Sequence, residues 1–111
     1  MTVTVKVLIP AKIAEATQVT QYTATGVTTI IDKFTATNYS ACAATISVNL
    51  VTAADTAGNQ NLITKTKTLQ PAEVYTFPEL VGQVLMASGF ISTIAGTATS
   101  INIRASGREV S

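Results

Sequence analysis

The sequence predicts an all-β fold: an antiparallel jelly roll or β-sandwich of about seven or eight short strands, with one short helix near residues 79–86. Three observations carry this. Apolar residues recur with period two through most of the chain. Turn-forming residues interrupt that alternation about every 8 to 12 residues. β-Branched residues dominate, Thr alone supplying roughly a sixth of the chain. Doubly wound parallel folds are excluded because they need several long crossover helices. A length of 111 residues suits a single domain spanning residues 1–111.

Taken in order, Val3, Val5, Val7 and Ile9 alternate with Thr2, Thr4, Lys6 and Leu8. This predicts a first strand with one β-branched face, stopped by Pro10. Val19 to Thr25 and Val27 to Tyr39 follow on either side of Gly26. In the second of these, Ile30, Phe34 and Ala36 share one parity with Asp32, so the strand is either bulged at Asp32 or lies at an edge there. Thr45 to Thr52 is the cleanest strand, with Ile46, Val48 and Leu50 inward and Thr45, Ser47 and Asn49 outward. Ala53 to Asn61 reads as a loop, and Leu62 to Leu69 is again extended. Gln70-Pro71-Ala72-Glu73 reads as a tight reversal, which predicts that Val74 to Phe77 returns as the second arm of a hairpin.

Glu79 to Leu85 breaks the alternation. Leu80, Val81, Val84 and Leu85 fall at helical spacing after Thr76-x-x-Glu79, the pattern of a capping box, and Pro78. The spacing predicts about two helical turns, weakened at Gly82 by about 1 kcal/mol relative to Ala. Phe90 to Ala95 and Ser100 to Ala105 complete the strands, with Ile101 and Ile103 on the core face. The terminal Ser106 to Ser111 reads as a tail that Gly107 lets turn sharply away.

Composition narrows the function. Charged residues make up only 12% of the chain against 47% hydrophobic, with a formal net charge of +1. An average soluble protein carries about twice that charged fraction. The polar positions are held by Thr, Ser, Asn and Gln, which cost far less to desolvate against a partner than charges do. No basic stripe with interleaved aromatics exists, so nucleic-acid binding is not expected; Lys65 and Lys67 read as a solvated strand face. No apolar run is long enough to cross a bilayer as a helix, and the N-terminal alternation does not resemble a signal peptide, which predicts synthesis in the cytoplasm. The single Cys42 cannot form an internal disulfide and reads as a small buried residue among alanines.

Histidine is absent, which excludes Ser-His-Asp, Cys-His and His-containing zinc sites. The carboxylates Glu15, Asp32, Asp55, Glu73, Glu79 and Glu109 form no metal-loop spacing, and the glycines make no phosphate loop. No catalytic residue, metal ligand or cofactor is expected. The candidate residues are those suited to a protein interface. Tyr22 and Tyr39 have an apolar body and a polar tip. Arg104, Arg108 and Glu109 could make charged contacts across a subunit boundary. The plainer reading is that the tyrosines pack at sheet rims and the tail is disordered. The first strand could complete its own sheet or add to a neighbour's edge.

The C-terminal half carries a resemblance. Pro71 ahead of an aromatic strand, Pro78-Glu79-Leu80-Val81-Gly82, Gly89-Phe90-Ile91-Ser92 and the closing Ser106-Gly107-Arg108-Glu109 resemble small virion proteins of tailed bacteriophages. The length and Thr-rich pattern are similar to the jelly-roll cement, or staple, proteins that decorate the capsids of epsilon-fifteen-like short-tailed phages. The resemblance implies a structural protein on the outer surface of the virion. Its partner would be the major capsid protein, it would form a homodimer, and it would contact neither nucleic acid nor membrane. A tail, baseplate or head-fibre module on the same fold is the alternative, followed by a carbohydrate-binding module, which the absence of Trp disfavours.

Overall fold

The computed structural model describes all of residues 1–111. It contains nine strands: β1 (Val3–Ile13), β2 (Val19–Thr23), β3 (Thr28–Asn38), β4 (Ala44–Val51), β5 (Leu62–Leu69), β6 (Val74–Thr76), β7 (Val84–Leu85), β8 (Phe90–Ala95) and β9 (Ile101–Val110). One 3₁₀ turn lies at Asn59–Asn61. The strands form two antiparallel sheets packed as a sandwich. One sheet has the order β1-β9-β3-β6, with β7 also on β3; the other has the order β2-β8-β4-β5. The winding follows from the pairs. First pairs with last (β1·β9), second with next to last (β2·β8), β3 with β6 and β7, and β4 with β5. This is a long hairpin with its tip at β4 and β5, rolled so that successive pairs fall in alternate sheets, as in a jelly roll.

The buried apolar residues form one cluster fed by both sheets. Ile9, Ile31, Phe34, Ile101 and Ile103 come from the first sheet, and Ile46, Val48, Leu69 and Ile91 from the second. Phe77 lies edge-on to Phe34 at 4.9 Å and to Tyr75 at 4.6 Å between ring centroids, the arrangement favoured by aromatic quadrupoles. Ile46 and Val48 are fully buried as their parity predicts. Ser47 and Asn49, on the opposite face, are buried too: Ser47 Oγ accepts from the Thr66 N–H of β5 at 2.8 Å, and the loop after β4 folds back over Asn49, whose amide donates to the Gly58 carbonyl and to Asn61 Oδ1 at 2.9 and 2.7 Å.

The predicted helix does not form. After Phe77 the chain makes consecutive turns, Leu80 N–H donating to the Phe77 carbonyl and Gln83 N–H to the Leu80 carbonyl. Gly82 then takes φ +83°, and Val84–Leu85 pairs with Thr29 and Ile30 of β3. A left-handed residue ends any helix. The backbone around Gly82 also finds better partners on β3, where Gly82 N–H donates to the Ile31 carbonyl and Ile31 N–H to the Gln83 carbonyl. Glu79 makes no capping box; its carboxylate accepts from the Thr64 and Tyr75 hydroxyls.

Other departures have equally local causes. Pro10 does not stop β1, which runs on to Ile13; β1 is an edge strand, where a missing N–H is tolerated. Val74–Thr76 pairs with β3 in the opposite sheet and not with Leu62–Leu69. The reversal at Gln70–Glu73 forms as a turn, Glu73 N–H donating to the Gln70 carbonyl with Ala72 at φ 66°, but it carries the chain across the sandwich. Asp32 is a bulge, the register slipping between Ile31 and Lys33, so Ile31 is the core residue and Ile30 faces out. Cys42 is exposed, in the turn after β3. Ser106 to Val110 is no free tail: β9 lies between β1 and β3 along its full length.

Candidate interaction surface

Cross-strand partners share a face of a sheet, so the registers assign every side chain of the first sheet to one side. Thr4, Glu109 and Thr29 form one row, and Tyr22 of the other sheet bonds to both Glu109 and Thr29; that row faces inward. Val5, Arg108, Ile30 and Val84 form the adjacent row, which faces outward. Val3 with Val110, and Val7 with Ser106, flank it on the same side. Val5 is 82% exposed, and Val3, Val7 and Val84 are exposed as well. The outer face of the first sheet thus carries an unpartnered apolar region that crosses from β1 to β7. A groove of about 260 Å³ adjoins it through Val84, with Met86, Leu50 and Ile63 among its lining residues.

Arg108 sits within this region and is held there. Its Nε and Nη2 donate to Asp32 Oδ2 and Oδ1 at 3.1 and 2.9 Å, and the neighbouring carboxylate holds its pKa above the ordinary value. The Asp32 bulge places the carboxylate beside the guanidinium. Further along β9 the same face turns polar, with Arg104 opposite Thr35, Asn102 opposite Thr37, and Lys33 opposite Ser106. Arg104 is exposed and in no ion pair; the three pairs present are Lys6–Glu109, Lys12–Glu15 and Arg108–Asp32.

The other predicted interface residues are dispersed. Tyr39 is half exposed, but it lies just past β3 at the far end of the sheet, its N–H donating to the Ser100 carbonyl. Tyr22 is turned into the sandwich with 9% of its surface exposed, which leaves little area for a partner. Its hydroxyl bridges Thr29 and Glu109. Burial, reinforced by the Glu109 carboxylate, pushes the Tyr22 pKa up to about 12. The same hydrogen bond, with Lys6 Nζ 3.2 Å away, holds Glu109 below the usual carboxylate range. Tyr22 and Glu109 therefore tie the two sheets of one chain together.

The sequence reading offers the first strand as an addition to a neighbour's edge but does not place Val3, Val5 and Val7 on an outer face, and it misses Ile30, Val84 and Val110. Val3, Val5 and Val7 share parity with Ile9 and read as one β-branched face. A bulge between Val7 and Ile9 breaks that parity, leaving Leu8 and Ile9 both buried and the three valines outside. The one available signal was the adjacent pair Leu8-Ile9, which strict alternation does not produce.

The outer face of the second sheet is different in kind. Gln18, Ser47, Asn49 and Thr66 line a shallow polar groove of about 190 Å³ there. Gln18 donates to Ser92 Oγ at 2.7 Å. No group of His, Cys, Asp and Glu that could hold a metal ion is present. Of the two outer faces, the first sheet's offers apolar area that water covers poorly. No family model, no curated protein and no solved structure matches this chain.

Proposed function

We propose that this chain is a structural virion protein that decorates the outside of a bacteriophage capsid and bridges neighbouring major capsid subunits against the pressure of packaged DNA. The observation that carries the reading is the unpartnered apolar half of the first sheet's outer face, around Val5, Ile30 and Val84. Support comes also from the resemblance of the C-terminal half to small phage virion proteins, and from a surface poor in charge, which is cheap to desolvate.

The action is mechanical. A shell under pressure fails where subunit contacts peel apart. A protein gripping two subunits adds contacts to each opening event, and once one grip holds, the other acts at high effective concentration. Stable attachment needs an interface of about 1,200–2,000 Å², more than the exposed valines supply alone, so the flanking Thr, Asn and Ser residues would be covered as well. Arg108 would enter the interface already neutralised by Asp32, which lowers the cost of burying it.

The test is co-sedimentation of the purified chain with undecorated heads of a tailed phage that carries it. The expected result is saturable binding and heads that withstand a higher temperature before releasing DNA, with both effects lost in Val84→Glu, whose side chain is exposed in the free protein. Absence of binding to heads overturns the proposal. Co-purification with tails assigns the chain to a tail module instead, and retention on glycan resin to a carbohydrate-binding module.

A further inference from the structure

The free edge of β1 supports an inference about a second copy of this chain. Thr2 and Ser111 exchange both backbone hydrogen bonds, at 2.9 Å each. In an antiparallel ladder such pairs alternate with pairs whose N–H and C=O groups point away from each other. Counting along the register, Thr4 and Lys6 spend their backbone groups on β9, and those of Val3, Val5 and Val7 point off the edge of the sheet. This row is regular until the bulge after Val7.

Edge strands usually carry devices against pairing with another chain. Beyond the bulge β1 has two, Pro10 and Lys12. From Val3 to Val7 the only charge is Lys6, which faces inward and is engaged by Glu109. The unguarded stretch is also the one that carries the exposed valines.

We infer that two copies pair antiparallel through β1 about a two-fold axis at Val5, joining two five-stranded sheets into one ten-stranded sheet. This register alone uses all the free groups. Val5 exchanges two hydrogen bonds with its own counterpart, and Val3 exchanges two with Val7 on each side of the axis. An axis at Lys6 would leave Val3 unpaired and set two like charges face to face, which is destabilising. An axis at Thr4 leaves Val7 unpaired. With the axis at Val5, valine meets valine on the outer face, and on the inner face Lys6 meets Thr4 of the second copy. Because Thr4 lies opposite Glu109, Lys6 then shares a cross-strand row with the Glu109 of the second copy, which supplies charge complementarity. The two apolar regions also merge into a single patch crossing the axis. This inference rests on backbone geometry and does not depend on the capsid reading.

The experiment uses the purified full chain without capsids. Sedimentation equilibrium over a concentration series is expected to show a monomer–dimer transition. Val5→Pro removes only an edge-facing N–H and is expected to abolish the dimer while the circular dichroism spectrum is unchanged. Register is read independently in a Cys42→Ser background: Val3→Cys and Val7→Cys form a disulfide when mixed, but neither does so alone, since like positions lie about 14 Å apart along the strand. A chain that stays monomeric at all concentrations overturns the proposal. So does a dimer that survives Val5→Pro, or one in which the mixed cysteines fail to cross-link, and the latter result does not depend on how well the proline variant folds.

Discussion

Replacing Gly107 by Ala tests the placement of β9 at the centre of its sheet. Gly107 lies in an inward row between Lys6 and Ile31, where a Cβ would overlap the Ile30 carbonyl oxygen and come within 2.9 Å of Leu8 Cδ1. A flexible side chain could retreat, but the carbonyl belongs to β3 and cannot move without disturbing the ladder. Overpacking of this kind typically costs about 1–3 kcal/mol, and a backbone obstacle puts the cost at the upper end. The loss of unfolded-state freedom on exchanging Gly for Ala returns only about 0.4–1 kcal/mol. The net expectation is roughly 2 kcal/mol, or about 8–10 °C in melting temperature for a domain of this size. The assay is urea unfolding with an unchanged slope, alongside thermal melts. Gly26→Ala is the control: it has φ +69° but nothing within 4 Å of the added carbon, so it pays only the backbone strain of about 1 kcal/mol. Adding Leu8→Ala should not rescue Gly107→Ala, because the main obstacle is backbone. A Gly107→Ala variant within 0.5 kcal/mol of the parent would refute the central position of this residue.

Four further outcomes are expected. Val48→Asp should abolish folding, since Val48 is fully buried and an unpaired carboxylate there has no partner; a cooperative melt at the parent temperature would show the core to be misassigned. Ala72→Gly should raise stability by about 0.5 kcal/mol, because Ala72 sits at φ 66° behind Pro71, where glycine carries no Cβ strain; a loss of stability in urea would contradict that turn. The folded-state pKa of Tyr22 is raised from 10 to about 12, so its contribution is fully present below pH 10 and is lost as pH rises through 12. Unfolding curves between pH 9 and 12 should show the parent losing on the order of 2 kcal/mol more than Tyr22→Phe, and parallel curves would exclude the shift. Deleting Arg108 to Ser111 should lower the urea midpoint sharply, since it removes the Asp32 and Tyr22 contacts and the segment on which β1 docks; an unchanged midpoint would mean that these residues do not form the strand end.

The candidate surface was legible only in part. Arg108 reads in the sequence as a terminal charge able to pair across a boundary, and it does stand in the apolar region, but its partner is Asp32 of the same chain. Glu109 and Tyr22 read in the sequence as separate candidates and are partners across the sandwich. Which of them a second protein can reach depends on how the two sheets pack, and that packing joins residues as far apart as Tyr22 and Glu109, which no local pattern relates.

By itself the sequence determined the class of fold and most strand positions. Period-two alternation in Thr45–Thr52 and the β-branched, Thr-rich make-up of Leu62–Leu69 and Phe90–Ala95 mark extended segments, a property each carries alone. The charge of Asp32 on the wrong parity points to either a bulge or an edge position, and the bulge is what forms. Tertiary structure decided the rest. Residues 79–85 have helical spacing, yet the open edge of β3 offers their backbone hydrogen bonds that two turns of a glycine-containing helix cannot match. The bulge after Val7 separates the three outward valines from the buried Ile9, because only the position of β9 fixes where β1 must slip. Local pattern records what a segment can bury, and the pairing of distant strands determines which side of the sheet it buries it on.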